Sequence, residues 1–233
     1  MTLENIKAIL FDLDGTLINV DLNKFIPNYM KLLSSKVKHL IRPSKFISLL
    51  MEASNQIDQN DGTMTNEQVF EKIFFPLNGH SMEEVTPFFD DFYENDFIKL
   101  KVHTEIKPEA RSVVSKAFEN GFDVVIATTP IIPLIAIQQR LEWANVDDFD
   151  YKFITSIENM RANKPHPYYY QQIFDFLKCP PEACLMVGDE DKDMKASNFG
   201  CKTYLVPSNN TNLDTNSPQS TYQGPLEDLL DLL

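Results

Sequence analysis

Apolar and polar positions change their period along the chain, and the changes mark out its parts. Lys7 is followed by a continuous apolar run, Ala8-Ile9-Leu10-Phe11, with the length and composition of a strand buried on both faces. Beyond Leu17 the period becomes helical. Phe25, Tyr29, Leu32 and Leu33 share one face, and Phe46, Ile47, Leu50 and Met51 share another. Pro43 sits near the start of this second run, where its missing N–H does little harm. Asn55 to Thr65 is polar and contains Gly62, which predicts a loop. Val69, Phe70, Ile73 and Phe74 then resume the helical period until Pro76. Ser81 and Glu84 make a capping box for a further helix, with Val85, Phe88, Phe89 and Phe92 on its apolar side. No strand is expected between Asn19 and Lys101. The pattern predicts an all-helical insert over 18–101, within the size of a small domain.

Helix and strand alternate after the insert. Pro108 to Asn120 reads as a helix ended by Gly121, and Phe122 to Ala127 as a β-branched apolar strand. Ile131 to Ala144 predicts a helix, Lys152 to Thr155 a short strand, and His166 to Leu177 a helix with Tyr169, Ile173, Phe176 and Leu177 inward. Cys184 to Val187 is a second buried strand. Asp191 to Phe199 is a short helix stopped by Gly200, and Lys202 to Val206 is the last strand. Ser208 to Gln223, rich in Ser, Asn, Thr and Gln, predicts a long loop, and Pro225 to Leu233 a terminal helix. Such alternation implies a parallel sheet with right-handed crossovers, flanked by helices. The α/β core would be built from 1–17 and 102–233.

Composition narrows the function. A net charge of −13 over 233 residues, with a pI near 4.7, argues against a nucleic-acid partner. Cys179, Cys184 and Cys201 are odd in number and lack metal-ligand spacing, as expected of buried thiols in a reducing compartment. No early stretch joins a basic flank to a long apolar segment, so neither a leader nor a membrane span is expected, and the expected location is cytoplasmic.

The chemistry gathers at predicted strand ends, where ligands bind in open α/β sheets. Asp12 and Asp14 directly follow the first strand. Being two apart, they project the same way while Leu13 turns back into the core. Two carboxylates there repel each other and are expensive to desolvate, and a divalent cation would compensate them. Thr128 ends the FDVVIA strand, Lys164 lies in the loop before the His166 helix, and Gly188-Asp189-Glu190-Asp191-Lys192-Asp193 follows the CLMVG strand. Alone, Thr128 is an ordinary strand end, Lys164 an ordinary solvated lysine, and the acidic cluster a helix start with favourable charge.

In order along the chain, however, Asp12-Leu13-Asp14-Gly15-Thr16, Thr128, Lys164 and Gly188 to Asp193 resemble the motifs of the haloacid-dehalogenase-like (HAD) hydrolases. The resemblance implies a Rossmann-like HAD core with the insert as a helical, type-1 cap. It implies that Asp12 is the nucleophile, that Asp14 is the general acid and base, and that Thr128 and Lys164 hold the phosphoryl group. Asp12, the backbone carbonyl of Asp14, and Asp189 would ligate Mg²⁺, with Asp193 in support and Glu190 or Asp191 in reserve. Thr129 stands where many relatives carry Asn, and substrate contact is expected of it. Dehalogenases of the family generally lack the carboxylate at the position of Asp14, so phosphate ester chemistry is favoured.

The resulting expectation is a Mg²⁺-dependent phosphatase of small phosphorylated metabolites, acting through an aspartyl-phosphate on Asp12. Its competitors are a phosphosugar phosphotransferase or mutase, and an idle binding protein on the same scaffold. Asn19, Asp21 and Asn23 are expected to line the cleft from the lid side. No signature in the insert names the substrate.

Overall fold

The computed structural model describes residues 3–209 and 211–233, so residues 1, 2 and 210 of the segments read above lie outside it. β1 (Ala8–Phe11) is buried at all four positions and sits in the middle of the main sheet. An apolar run with no polar face can only be satisfied there, covered on both sides. The other strands of this sheet are β4 (Asp123–Ile126), β5 (Phe153–Ile154), β6 (Cys184–Gly188), β7 (Lys202–Leu205) and β8 (Tyr222–Gln223). Their order is β5-β4-β1-β6-β7-β8, and every pairing is parallel. The short, half-exposed β5 and β8 take the edges.

Alternation along the strands divides the core in two. Ile9, Phe11, Val124, Ile126, Leu185 and Val187 face one cluster, with α5 (Ala110–Glu119) and α6 (Leu134–Trp143) packed on them. Ala8, Leu10, Val125, Cys184 and Met186 face the other, against α7 (Pro167–Leu177). α8 (Asp191–Met194) follows β6. The register aligns Phe11 with Ile126 on one side and Val187 on the other. Asp12, Thr128 and Asp189 therefore leave the sheet at one common edge.

The inserted helical segment lies between β2 (Ile18–Val20) and β3 (Thr104–Ile106), which pair antiparallel. α1 (Leu22–Lys36) leads into α2 (Pro43–Asp58), α3 (Asn66–Asn78) and α4 (Met82–Asp91). A π turn at Phe92–Asp96 and a 3₁₀ stretch at Phe97–His103 bring the chain back. Aromatic edges hold the segment together, Phe46 meeting Phe74 at 5.5 Å and Phe89 at 6.0 Å between ring centroids. Phe97 stacks on Trp143 of α6 at 5.3 Å, which joins the insert to the core.

Several expectations are corrected. Ile18–Val20 is a strand, missed because three residues are too few to show alternation. α2 runs on to Asp58, so the expected loop begins only at Gln59, and α3 passes through Pro76. On α7, Tyr170 and Phe174 fill the core, while Phe176 is exposed and lies along Phe153. The polar segment after Ser208 ends in β8, and the terminal helix is a 3₁₀ stretch, Leu226–Asp231. Among the described residues no helix is long and apolar enough to cross a membrane.

Phe11 is fully buried in the central strand. Phe11→Ala should lower stability by about 3–5 kcal/mol in urea unfolding, the range for a large aromatic truncated in a packed core.

Candidate active site

The β1 backbone fixes the position of Asp12, whose N–H donates to Val187 O at 2.8 Å, while Ala127 N–H donates to Phe11 O at 2.7 Å. Its buried carboxylate receives Lys164 Nζ at 2.6 Å, and the same ammonium reaches Asp193 at 2.6 Å. Burial opposes the charge on Lys164, but the carboxylates of Asp12 and Asp193 outweigh it and hold the ammonium well above its usual range. Asp189 completes the group, its carboxylate lying within 4.8 Å of those of Asp12 and Asp193. Ser208 donates to Asp189 Oδ2 at 2.5 Å, whereas Asp189 Oδ1 is buried without a hydrogen-bond partner.

Three clustered carboxylates face one ammonium, so negative charge is left over. Burial and the charge of Asp12 push Asp189 up to about 7. Burial also raises Asp193 to about 6, against the opposing pull of Lys164. An all-oxygen donor set of this kind, with one orphaned oxygen, fits a hard divalent cation. Asp193 already spends one oxygen on Lys164 and the other on the N–H of Glu190, whereas Asp12 and Asp189 each commit one oxygen, to Lys164 and Ser208, and keep the other.

Two glycines make the approach of these groups feasible. Gly15 has φ +80°, and a Cβ there would lie 2.0 Å from Asp189 Oδ2. A Cβ on Gly188 would lie 2.3 Å from the Asp193 carboxylate. Lys107, buried, donates to Gly15 O at 2.6 Å and pins the turn after Asp14.

Asp14 pairs with the buried guanidinium of Arg140 on α6, which also sits 5.9 Å from the Phe25 ring. Burial brings Arg140 down to about 10, leaving it cationic at neutral pH. The carbonyl of Thr128 accepts hydrogen bonds from Thr155 Oγ1 (2.9 Å) and Tyr169 OH (3.0 Å), so α7 anchors this loop. A cavity of about 430 Å³ opens over Asp12 and Asp14, bordered by Thr128, Thr129, Arg140 and Asp189.

The insert is fastened to the core beside Lys164. Asn66 at the start of α3 is fully buried. It donates to Pro130 O and to Asn163 Oδ1, each at 3.0 Å, and its own N–H donates to Met160 O at 2.7 Å. Asn163 in turn donates to Asp58 Oδ1 at 2.6 Å.

Of the residues expected at the site, Asp12, Asp14, Thr128, Thr129 and Asp189 line one cavity, and Lys164 joins Asp12 to Asp193 beside it. The reserve residues behave differently. Asp191 turns to Lys195 and Ser217, and Glu190 pairs with Lys192 at 2.6 Å. Asn19, Asp21 and Asn23 line a separate cavity of about 440 Å³ with Thr104 and Ser208, not the one over Asp12. Arg140, Lys107 and Asn66 were missed. Arg140 had a signal, since it occupies an inward position of the Ala136, Ile137, Leu141 face; Lys107 and Asn66 had none.

Two outcomes follow from this geometry. Gly15→Ala should destabilise the protein by more than about 1 kcal/mol, from positive φ and from the clash with Asp189, and should weaken divalent-cation binding in a calorimetric titration. The raised Asp189 and Asp193 make the folded chain bind more protons than the unfolded one between about pH 4 and 7. Stability of the metal-free protein should therefore fall as pH rises through that window, and added Mg²⁺ should flatten the decline. Urea unfolding at several pH values, with and without Mg²⁺, measures both.

Residues 6–198 match the model of the family described as haloacid dehalogenase-like hydrolase. The chain is 28% identical over 215 residues to pyrophosphatase PpaX of Bacillus cereus, covering 86% of this chain and 83% of that protein. Among solved structures it is similar to a HAD phosphatase from Thermococcus onnurineus (TM-score 0.61, 16% identity, 97% of each chain). It is also similar to L-2-haloacid dehalogenase from Xanthobacter autotrophicus (TM-score 0.60, 16% identity, 97% of each chain). With the ordered motifs converging on one buried acidic cluster beneath an inserted helical segment, the chain belongs to the haloacid dehalogenase-like hydrolases.

Proposed function

We propose that this hydrolase is a Mg²⁺-dependent phosphatase of small phosphorylated metabolites, acting through an aspartyl-phosphate on Asp12. The observation that carries the reading is the Asp12 carboxylate, held on Lys164 against Asp189 beside a covered cavity. A carboxylate needs no base to act as a nucleophile. An Asp12 oxygen bonds to phosphorus as the bond to the leaving oxygen breaks, and the Asp14 carboxyl gives its proton to that oxygen. Asp14 then takes a proton from the water that attacks the aspartyl-phosphate, which releases phosphate and restores Asp12. Lys164 screens the repulsion between carboxylate and phosphoryl group, and the Thr128 hydroxyl orients a phosphoryl oxygen. Thr129 contacts substrate, and Asp193 keeps Lys164 in place.

Asp12, the Asp14 carbonyl and Asp189 would hold Mg²⁺. When bound, the ion draws charge from the phosphoryl oxygens. We read 18–101 as a lid on the core, excluding bulk water from the site. The match to a pyrophosphatase supports phosphorus rather than halide chemistry, as does the carboxylate at Asp14. Three free, buried thiols suit a cytoplasmic enzyme.

Asp12→Asn should lower Mg²⁺-dependent hydrolysis of p-nitrophenyl phosphate by at least about a thousandfold, with circular dichroism unchanged. Retained turnover in that variant would remove Asp12 as the nucleophile.

A further inference from the structure

We infer that the cavity beside Asp14 is a leaving-group subsite for an apolar alcohol. The preferred substrate is then the phosphate monoester of a hydrocarbon-rich alcohol, not of a sugar, a carboxylate-bearing alcohol or a second phosphate. The inference rests on the phosphatase reading and extends it to the substrate's other half.

The direction of displacement comes first. In-line attack by Asp12 sends the leaving oxygen to the far side of phosphorus, where Asp14 protonates it. The carbon skeleton attached to that oxygen must therefore extend past Asp14. Asp12 and Asp14 both line the cavity of about 430 Å³. Next to it, a cavity of about 650 Å³ is lined by Lys164, His166, Asp58 and Asn163 but by neither Asp12 nor Asp14. The leaving group belongs to the first of these.

Much of the wall of that first cavity is hydrocarbon. Phe25, Ile26 and Met30 come from α1, Met51 from α2 and Ile131 from the loop after β4. Ile26, Met51 and Ile131 are 48%, 56% and 41% exposed. One exposed apolar side chain is ordinary, but several converging on a single concavity mark a binding surface.

Polar partners for a charged or hydroxylated leaving group are already engaged. The cations lining the cavity are Arg140, paired with Asp14, and Lys192, 2.6 Å from Glu190. Tyr29 OH shares a hydrogen bond with Tyr93 OH at 2.8 Å, and Ser54 donates to Leu50 O at 2.9 Å. Besides Thr128, Asn55 and Thr129 are the remaining neutral polar side chains of the lining. A carboxylate or a second phosphate placed here would lose water and compete with Asp14 and Glu190 for the two cations.

The test is a series of n-alkyl phosphates from ethyl to octyl, whose leaving-group chemistry is nearly constant, assayed with Mg²⁺. kcat/KM should rise about three- to fourfold per added methylene until the cavity is filled. Pyrophosphate, a hexose phosphate and a carboxylate-bearing phosphate ester should all fall below hexyl phosphate. Met51→Glu should lower kcat/KM for octyl phosphate at least tenfold more than for ethyl phosphate. A flat series, or preference for an anionic or sugar substrate, overturns the inference and leaves the phosphatase reading standing. Failure to hydrolyse any ester removes the phosphatase reading instead. The subsite is then decided by calorimetry with n-alkylphosphonates: Kd falling with chain length supports it, and constant Kd overturns it.

Discussion

Lys164, its side chain fully buried, holds two carboxylates at once, and the site is arranged around that ammonium. A buried cation is tolerable only when paired and hydrogen-bonded. Here the partners come from the ends of two neighbouring strands, Asp12 after β1 and Asp193 beyond β6, so the pairing depends on the sheet register. Had β6 slipped by one residue against β1, its side chains would change faces and the acidic turn would leave Lys164. The two-sided core therefore sets the chemistry as well as the stability, since the clusters on each face of β1 fix that register.

The same ammonium is too little positive charge for what surrounds it. Asp189 lies against Asp12 with one oxygen orphaned, and burial together with the charge of Asp12 raises its proton affinity. Crowding of this degree is tolerated because Gly15 and Gly188 leave room for the carboxylates that any Cβ would displace. Elsewhere in the site a cation lies against each acidic group: Arg140 against Asp14 and Lys192 against Glu190.

Much of this was legible in the sequence because its signals are local. The AILF run can only be a central strand, and the aspartates after it keep their places by adjacency. The strand ends carrying Thr128 and Asp189 follow from the same logic, as does the capping box at Ser81. What stayed hidden depends on tertiary partners. Lys107 reaches a backbone carbonyl 92 positions away, and Asn66 bonds to Asn163 across 97, with no local pattern for either. Phe176 was assigned to the core by its period, but Tyr170 and Phe174 take those places, since the helix is rotated to let Tyr169 and Tyr170 reach the Thr128 and Lys192 carbonyls.

The fastening of Asn66 to Asn163 reaches beyond cohesion. Asn163 is the chain neighbour of Lys164, and its other contact, Asp58, also belongs to the insert. The inserted helices and the loop carrying Lys164 therefore share one set of bonds. A foreign segment grafted between β2 and β3 would keep that strand pair but leave the Asn163 amide without its partners. Variation that spares these bonds has room on the cavity wall of the insert, at positions such as Ile26 and Met51, whose side chains are largely exposed.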